Sequence, residues 1–246
     1  MDEVAVAGEV PRFELEEWRR KYGVVAGVTG RGSGVPFDLG LAGVHAPVGA
    51  VLERWRALVR TFPGFSGTVV SRQIHGTELF WHEAARGLVL LEGADGHATR
   101  TPGLLLAVTA ADCVPVYLLD PERRAIMLLH AGWRGVAGRI LPKGLRLLAE
   151  LGTPVENLLV HCGVGICGFC YEVTSEVFSA CGVAAPDSGR GPLDLRAVLA
   201  EQALNMGVEE VSTSQFCSRH HGELFFSHRG SGGADGRMVA YLGLLP

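Results

Sequence analysis

The chain reads as a series of short apolar runs, each closed by glycine, proline or a charged cluster. Val24–Thr29, Gly67–Ile74, Glu78–Trp81, Leu88–Leu91, Leu158–Cys162, Phe216–Arg219, Leu224–His228 and Arg237–Leu245 have strand length and predict strands. Helical spacing is less frequent. Phe13–Tyr22 places apolar residues at 15, 18 and 22 among charges, and Pro47–Thr61 puts Val51, Trp55, Leu58 and Val59 on one face. Ile140–Leu151, Ser175–Cys181 and Asp194–Leu204 are also predicted helical, the last with Asp194 as N-cap. Two stretches dominate. Thr109–Asp120 carries Asp112 and Cys113 into an apolar segment, and Ile126–Val136 is an apolar run ending in His130 and a Gly-Trp-Arg-Gly turn. Pro121 and the charged residues 122–124 between them predict a short turn, so the two runs form a hairpin or neighbouring strands. Strands outnumber helices and do not alternate strictly with them. That argues against a Rossmann sheet or a TIM barrel and for an α+β fold with a layered core, spanning residues 1–246 as one domain.

Composition narrows the function classes. A net charge of −4 with only 22 Lys and Arg, and no basic block, gives no sign of nucleic acid as a partner. Apolar runs such as Gly103–Ala111 are too short to span a bilayer, so no membrane partner is expected. Met-Asp-Glu is not the start of a secretory signal, and six cysteines in 246 residues are not a disulfide framework, so a cytoplasmic location is expected. Asp95-Gly96 reads as a turn, and Gly30–Gly34 and Gly230–Gly236 as loose glycine loops; the first fits neither phosphate-loop nor dinucleotide spacing.

Three groups carry candidate chemistry. His75, Cys113 and His130 each lie at a predicted strand end, and one thiolate with two imidazoles suits a zinc ion that keeps an open position. The same Cys113–His130 pair also suits a cysteine hydrolase or amidase. Gln73, on the same strand face as His75, would point into the same cavity. Asp112 is a candidate general acid/base or an orienting carboxylate, and Glu172 a weaker one. Arg31, Arg134, Arg229 and Arg237 sit in glycine-flanked turns from which a guanidinium can hold phosphate or carboxylate. Cys162-x4-Cys167-x2-Cys170, beside His161, is the third group. It allows a redox pair or half of a structural zinc site, but no second Cys-x-x-Cys follows at zinc-ribbon spacing, which leaves Cys181 and Cys217 as the only other partners. Small buried residues on a glycine-rich turn are therefore the reading preferred from sequence.

Five blocks together resemble the YfiH-like, or multicopper polyphenol oxidase (laccase-domain), family. They are Gln73-Ile-His75-Gly76, Ala111-Asp-Cys-Val-Pro-Val116, His130-Ala-Gly-Trp-Arg-Gly135, Gly163 through Tyr171-Glu-Val173, and Phe226-Ser-His-Arg229 with Gly236-Arg-Met238. The resemblance covers roughly residues 24–244. It implies a compact layered fold of mixed, sandwich-like sheets flanked by helices, and zinc held by His75, Cys113 and His130. It also implies phosphorolysis of adenosine, inosine, guanosine and methylthioadenosine, together with adenosine deamination. Purine nucleoside and phosphate are then the partners, on a monomer or small homo-oligomer. Copper-dependent phenol oxidation is the family's older label, but laccases need several coppers and many histidines, and this chain lacks His-x-His pairs. Against the family pattern, Gly163-Val164 replaces Gly-Pro, and Asp38-Leu-Gly40 replaces Asn-Leu-Gly. The second change puts in doubt any contact that needs an amide at position 38.

Overall fold

The computed structural model describes residues 2–41 and 46–246. In chain order the elements are β1 (Val4–Val6), β2 (Arg12–Glu14), α1 (Glu16–Tyr22), β3 (Val24–Thr29), α2 (Val48–Arg60), β4 (Gly67–Arg72), β5 (Leu79–His82), β6 (Gly87–Glu92), β7 (Gly96–Thr99), β8 (Leu104–Ala110), β9 (Val114–Asp120), β10 (Ala125–Ala131), α3 (Trp133–Ala137), α4 (Ile140–Glu150), β11 (Leu159–Cys162), β12 (Glu172–Thr174), α5 (Ser175–Ala180), β13 (Arg190–Pro192), α6 (Leu195–Asn205), β14 (Glu210–Thr213) and β15 (Met238–Leu244). One sheet runs β1-β2-β3-β15-β8-β4-β6 and the other β14-β11-β9-β10-β7-β5; β12 and β13 form a separate ribbon. Both large sheets mix parallel and antiparallel pairs. The chain is an α+β protein.

Parity along the strands explains the layering. On β10, Ile126 and Leu128 face the other sheet, where they meet Leu106 and Val108 of β8 and Ala240 and Leu242 of β15. Met127 and Leu129 face the opposite way, onto Leu141, Leu145 and Leu148 of α4 and Leu199 of α6. The far side of the first sheet buries Leu105, Ala107 and Val239 under Val51, Trp55 and Leu58 of α2. The order is helix, sheet, sheet, helices. Its central strands are buried on both faces, which is why they read as unbroken apolar runs. The same parity puts His130 on the inter-sheet face, at the end of β10.

Most predicted elements stand, and the differences have physical causes. Thr109–Asp120 and Ile126–Val136 do give an antiparallel hairpin, β9–β10, in which His130 pairs with Pro115. Asp120 closes it by accepting the N–H groups of Glu122 and Arg123, both at 3.0 Å. The Gly-Trp-Arg-Gly segment is a short helix, α3, and not a plain turn. Phe13 and Glu14 belong to β2, so the first helix starts at Glu16. Phe216–Arg219 and Leu224–His228 are turns; their apolar residues Phe216, Phe225 and Phe226 pack into the inter-sheet core without entering a ladder. β14 was missed because Glu210–Thr213 is polar, yet it pairs in parallel with β11.

A histidine pair with one fully buried member is expected to make the fold sensitive to acid. His97 on β7 is 1% exposed and its Nδ1 lies 2.9 Å from Nε2 of His82 on β5. Burial, reinforced by the neighbouring His82, pushes His97 down to about 3, and burial lowers His82 as well. In the unfolded chain both would titrate near ~6.5. Below that pH the unfolded state takes up protons that the folded state refuses, so stability falls as pH drops. For His97 the loss is ~1.4 kcal/mol per pH unit between about pH 6 and pH 4. Urea midpoints measured across that range should show His97→Gln to be flatter than the parent by this amount; equal slopes would refute the assignment.

Candidate metal centre

His75, Cys113 and His130 converge at one end of the inter-sheet layer. One ligand atom from each lies within 4.8 Å of the others, and the two imidazoles meet edge to face with ring centroids 4.9 Å apart. His130 is 3% exposed on β10, Cys113 immediately precedes β9, and His75 follows the end of β4. Two of the connecting residues occupy left-handed backbone: His75 at φ 57° and Asp112 at φ 85°. Such conformations are costly for residues with a Cβ and persist where the surroundings over-determine them.

At both positions a buried carboxylate supplies that determination. Asp95 is fully buried and accepts the backbone N–H groups of Ile74, His75 and Gly76 at 3.2, 3.0 and 2.7 Å, while also meeting His130 Nδ1 at 2.9 Å. It therefore fixes the His75 turn and leaves Nε2 as the free nitrogen of His130. The sequence marked Asp95-Gly96 only as a turn; Gly96 in fact begins β7. Asp112 accepts Ser218 Oγ at 2.6 Å, Ser227 Oγ at 2.7 Å and the Arg229 N–H at 2.6 Å. The Asp112 oxygens are thereby engaged in holding the Ser218 and Ser227–Arg229 turns beside Cys113.

The trio is electrostatically coupled. Burial alone would raise the Cys113 thiol, but the charges and hydrogen bonds of His130 and His75 outweigh it and bring Cys113 down to about 6. Burial likewise opposes a charged His130, yet Cys113 and Asp95 push it up to about 9. A thiolate is thus held ready as a ligand or nucleophile.

Two cavities meet at these residues. One, of about 390 Å³, is lined by Gln73, Thr109, His228 and Arg237 with the trio. The other, of about 280 Å³, touches His75 and Cys113 and is lined by Trp133, Arg134, Tyr171, His228 and Arg229. Arg134 stacks on Trp133 with its guanidinium carbon 4.4 Å from the ring centroid, and Arg229 sits 4.9 Å from that of Tyr171. Arg31 is elsewhere: it pairs with Asp235 and lies over Phe226. Gln73 spends its amide on Thr109, donating to the carbonyl at 2.8 Å and accepting from the backbone N–H at 2.8 Å. Arg237 donates to the carbonyls of Asp235 and Gly236. Asp38 accepts the N–H groups of Gly40 and Arg237, so a carboxylate serves there without an amide. Glu172 is exposed and pairs with Arg190. Neither Asp95 nor His228 was assigned a role from the sequence: Asp95 read only as a turn residue, and His228 lay inside the Phe226–Arg229 block without being singled out.

The family model described as multi-copper polyphenol oxidoreductase laccase matches residues 26–245. The chain belongs to that family. Among curated relatives, a purine nucleoside phosphorylase of Deinococcus radiodurans is 37% identical over 197 residues, 77% of this chain and 76% of its own. Adenosine deaminase RL5, from an unknown prokaryotic organism, is 33% identical over 69% of this chain and 67% of its own. YlmD from Geobacillus stearothermophilus has a solved structure that superposes with a TM-score of 0.87 at 27% identity, over 99% of this chain and 100% of that one. Bacillus licheniformis YfiH gives 0.85 at 26% identity, over 95% and 96%.

Proposed function

We propose that this chain is a zinc-dependent enzyme of purine nucleoside metabolism, which cleaves adenosine, inosine, guanosine or methylthioadenosine with phosphate and also deaminates adenosine. The observation that carries the reading is the convergence of His75, Cys113 and His130, with Asp95 behind them, where two cavities join. One thiolate and two imidazoles fit zinc by donor chemistry, and three ligands leave a tetrahedral position open. When bound, zinc supplies Lewis-acid polarisation and lowers the pKa of water.

The remaining work falls to the chain's own groups. Arg134 and Arg229, splayed on aromatic rings at the mouth of the smaller cavity, hold phosphate by charge-assisted hydrogen bonds. The larger cavity takes the nucleoside, with Arg237 on its wall. His228 lines both cavities and is the group positioned to hand a proton to the departing base. Asp95 keeps His130 in one tautomer, and Asp112 keeps the Arg229 turn in place.

Asp95, His130 and Cys113 also make the constellation of a cysteine hydrolase, with nucleophile, base and orienting carboxylate in line. His75 beside the thiol favours metal over that reading. A four-copper oxidase would need further histidine clusters. Among the described residues, the other metal-capable group is Cys167, Cys170, Cys217 and His220, which is thiolate-rich.

One incubation separates these readings. Zinc-loaded protein is given adenosine with and without inorganic phosphate, and free adenine is resolved from inosine by chromatography. Phosphate-dependent adenine and phosphate-independent inosine are the expected products. Neither product, with zinc bound at the trio, overturns the nucleoside reading and brings the hydrolase forward.

A further inference from the structure

Away from the trio, the fold assembles a second set of metal-binding side chains from two separate turns. The first is Cys167-Gly-Phe-Cys170, a short 3-10 turn in which the N–H of Cys170 donates to the Cys167 carbonyl at 3.0 Å. The second is Cys217-Ser-Arg-His220, closed by the N–H of His221 on the Cys217 carbonyl at 2.9 Å. Cys167 and Cys217 are 50 positions apart, and the Gly165–Cys217 bridge sets the two turns side by side. One ligand atom from each of Cys167, Cys170, Cys217 and His220 then lies within 4.8 Å of all the others.

We infer that these four residues bind a structural zinc ion. Each half supplies donors at positions i and i+3 of a tight turn, and three thiolates with one imidazole form a closed tetrahedral set. The backbone is already arranged for charged sulfur. The N–H groups of Cys167 and His220 point at Cys217 Sγ, at 3.3 and 3.5 Å, and Cys167 Sγ lies 3.6 Å from His220 Nδ1. Packing alone does not account for this. Cys167, Cys170 and Cys217 are buried with Ile166 as small apolar groups would be, but apolar packing has no use for an imidazole at the cluster's exposed edge within ligand distance of all three sulfurs, nor for two N–H donors aimed at one of them. Cys162 is not part of the set; it is buried in the core against α6.

The ion would brace the wall of the other centre. The N–H of Ile166, next to Cys167, donates to the Asp112 carbonyl at 2.9 Å, and Ser218, next to Cys217, donates to the Asp112 carboxylate. Arg219 ties the turns together by donating to the Cys170 carbonyl at 3.1 Å. Each turn therefore holds the residue that precedes Cys113. This inference does not depend on which reaction the trio performs.

Metal content and zinc X-ray absorption test it on the full chain purified under reducing conditions. The parent is expected to carry about two zinc ions per chain. Cys113→Ser leaves all four of these ligands untouched, and is expected to keep one ion with a shell of three sulfurs and one nitrogen. Cys217→Ser is expected to lose that ion and to unfold at lower temperature. A folded Cys113→Ser protein without zinc, or with a shell of nitrogen and oxygen only, would overturn the assignment. So would a disulfide among Cys167, Cys170 and Cys217 in the reduced parent, or a folded Cys217→Ser protein with the parent's zinc content.

Discussion

Asp95→Ala is expected to cost both stability and metal affinity, and by more than any substitution among the surface arginines. The carboxylate is fully buried and meets four partners: three consecutive backbone N–H groups and the His130 ring. Its pKa is lowered, because the bonds from His130 and Gly76 outweigh the burial that would raise it. Alanine leaves those donors facing an apolar void. Removing one partner from a buried charged network typically costs ~3–5 kcal/mol. The metal loses more than stability alone implies, since His75 is held at φ 57° by the same oxygens that orient His130. Loss of one supporting carboxylate weakens metal binding ~10–100-fold, and here two ligands lose their support at once. Urea unfolding gives the first quantity and chelator competition the second. Asp95→Asn should recover part of the stability but not the affinity, because its NH2 group must face either the N–H donors or the imidazole. A folded Asp95→Ala protein with the parent's zinc affinity would refute the role given to this residue.

Gly132→Ala isolates sterics from charge. Gly132 lies between His130 and α3, with φ −78° and ψ 171°, a conformation alanine adopts freely, so no backbone penalty enters. Its Cβ, however, would stand 2.9 Å from Cys113 Sγ and 3.3 Å from His75 Cδ2. The cheapest escape is for the Cys113 side chain to rotate, which takes the thiolate out of the ligand triangle. Overpacking of this kind costs ~1–3 kcal/mol in stability. Displacing a ligand costs more in function: zinc affinity at the trio and turnover should both fall by ~100-fold, while the fold persists. Near-parental turnover in Gly132→Ala would show that Cys113 has room to spare, and that the close approach of the backbone is not needed.

The parts of this protein that depend on local pattern are legible in its amino-acid order. Val24–Thr29 and the β9–β10 hairpin were legible because strands buried on both faces carry unbroken apolar runs with charged or glycine stops. α2 was legible because Val51, Trp55 and Leu58 recur at helical spacing. Cys113 and His130 were legible as partners because a hairpin brings one strand's start to the next strand's end. His75 joined that set because it too ends a predicted strand, and the family resemblance strengthened the trio; the layered core was read from the mix of strands and helices, and the mixed, sandwich-like character of the sheets came with the resemblance. The remaining features depend on how distant segments pack together. Asp95 looked like a turn residue, since Asp-Gly is a turn signal wherever its carboxylate points; its role depends on β4 and β10 lying on either side of it. Phe225 and Phe226 made a strand-like run, yet an apolar residue needs only burial, and here turns deliver them to the core. From sequence, Cys217 was one of two possible partners for Cys167 and Cys170, and His220 gave no signal, because spacing rules describe ligands from one turn or neighbouring turns. Their meeting depends on which segments the sheets bring together. Loop closure between distant segments costs little more for each added residue, so the order of the sheets, and not distance along the chain, fixes which side chains share a site.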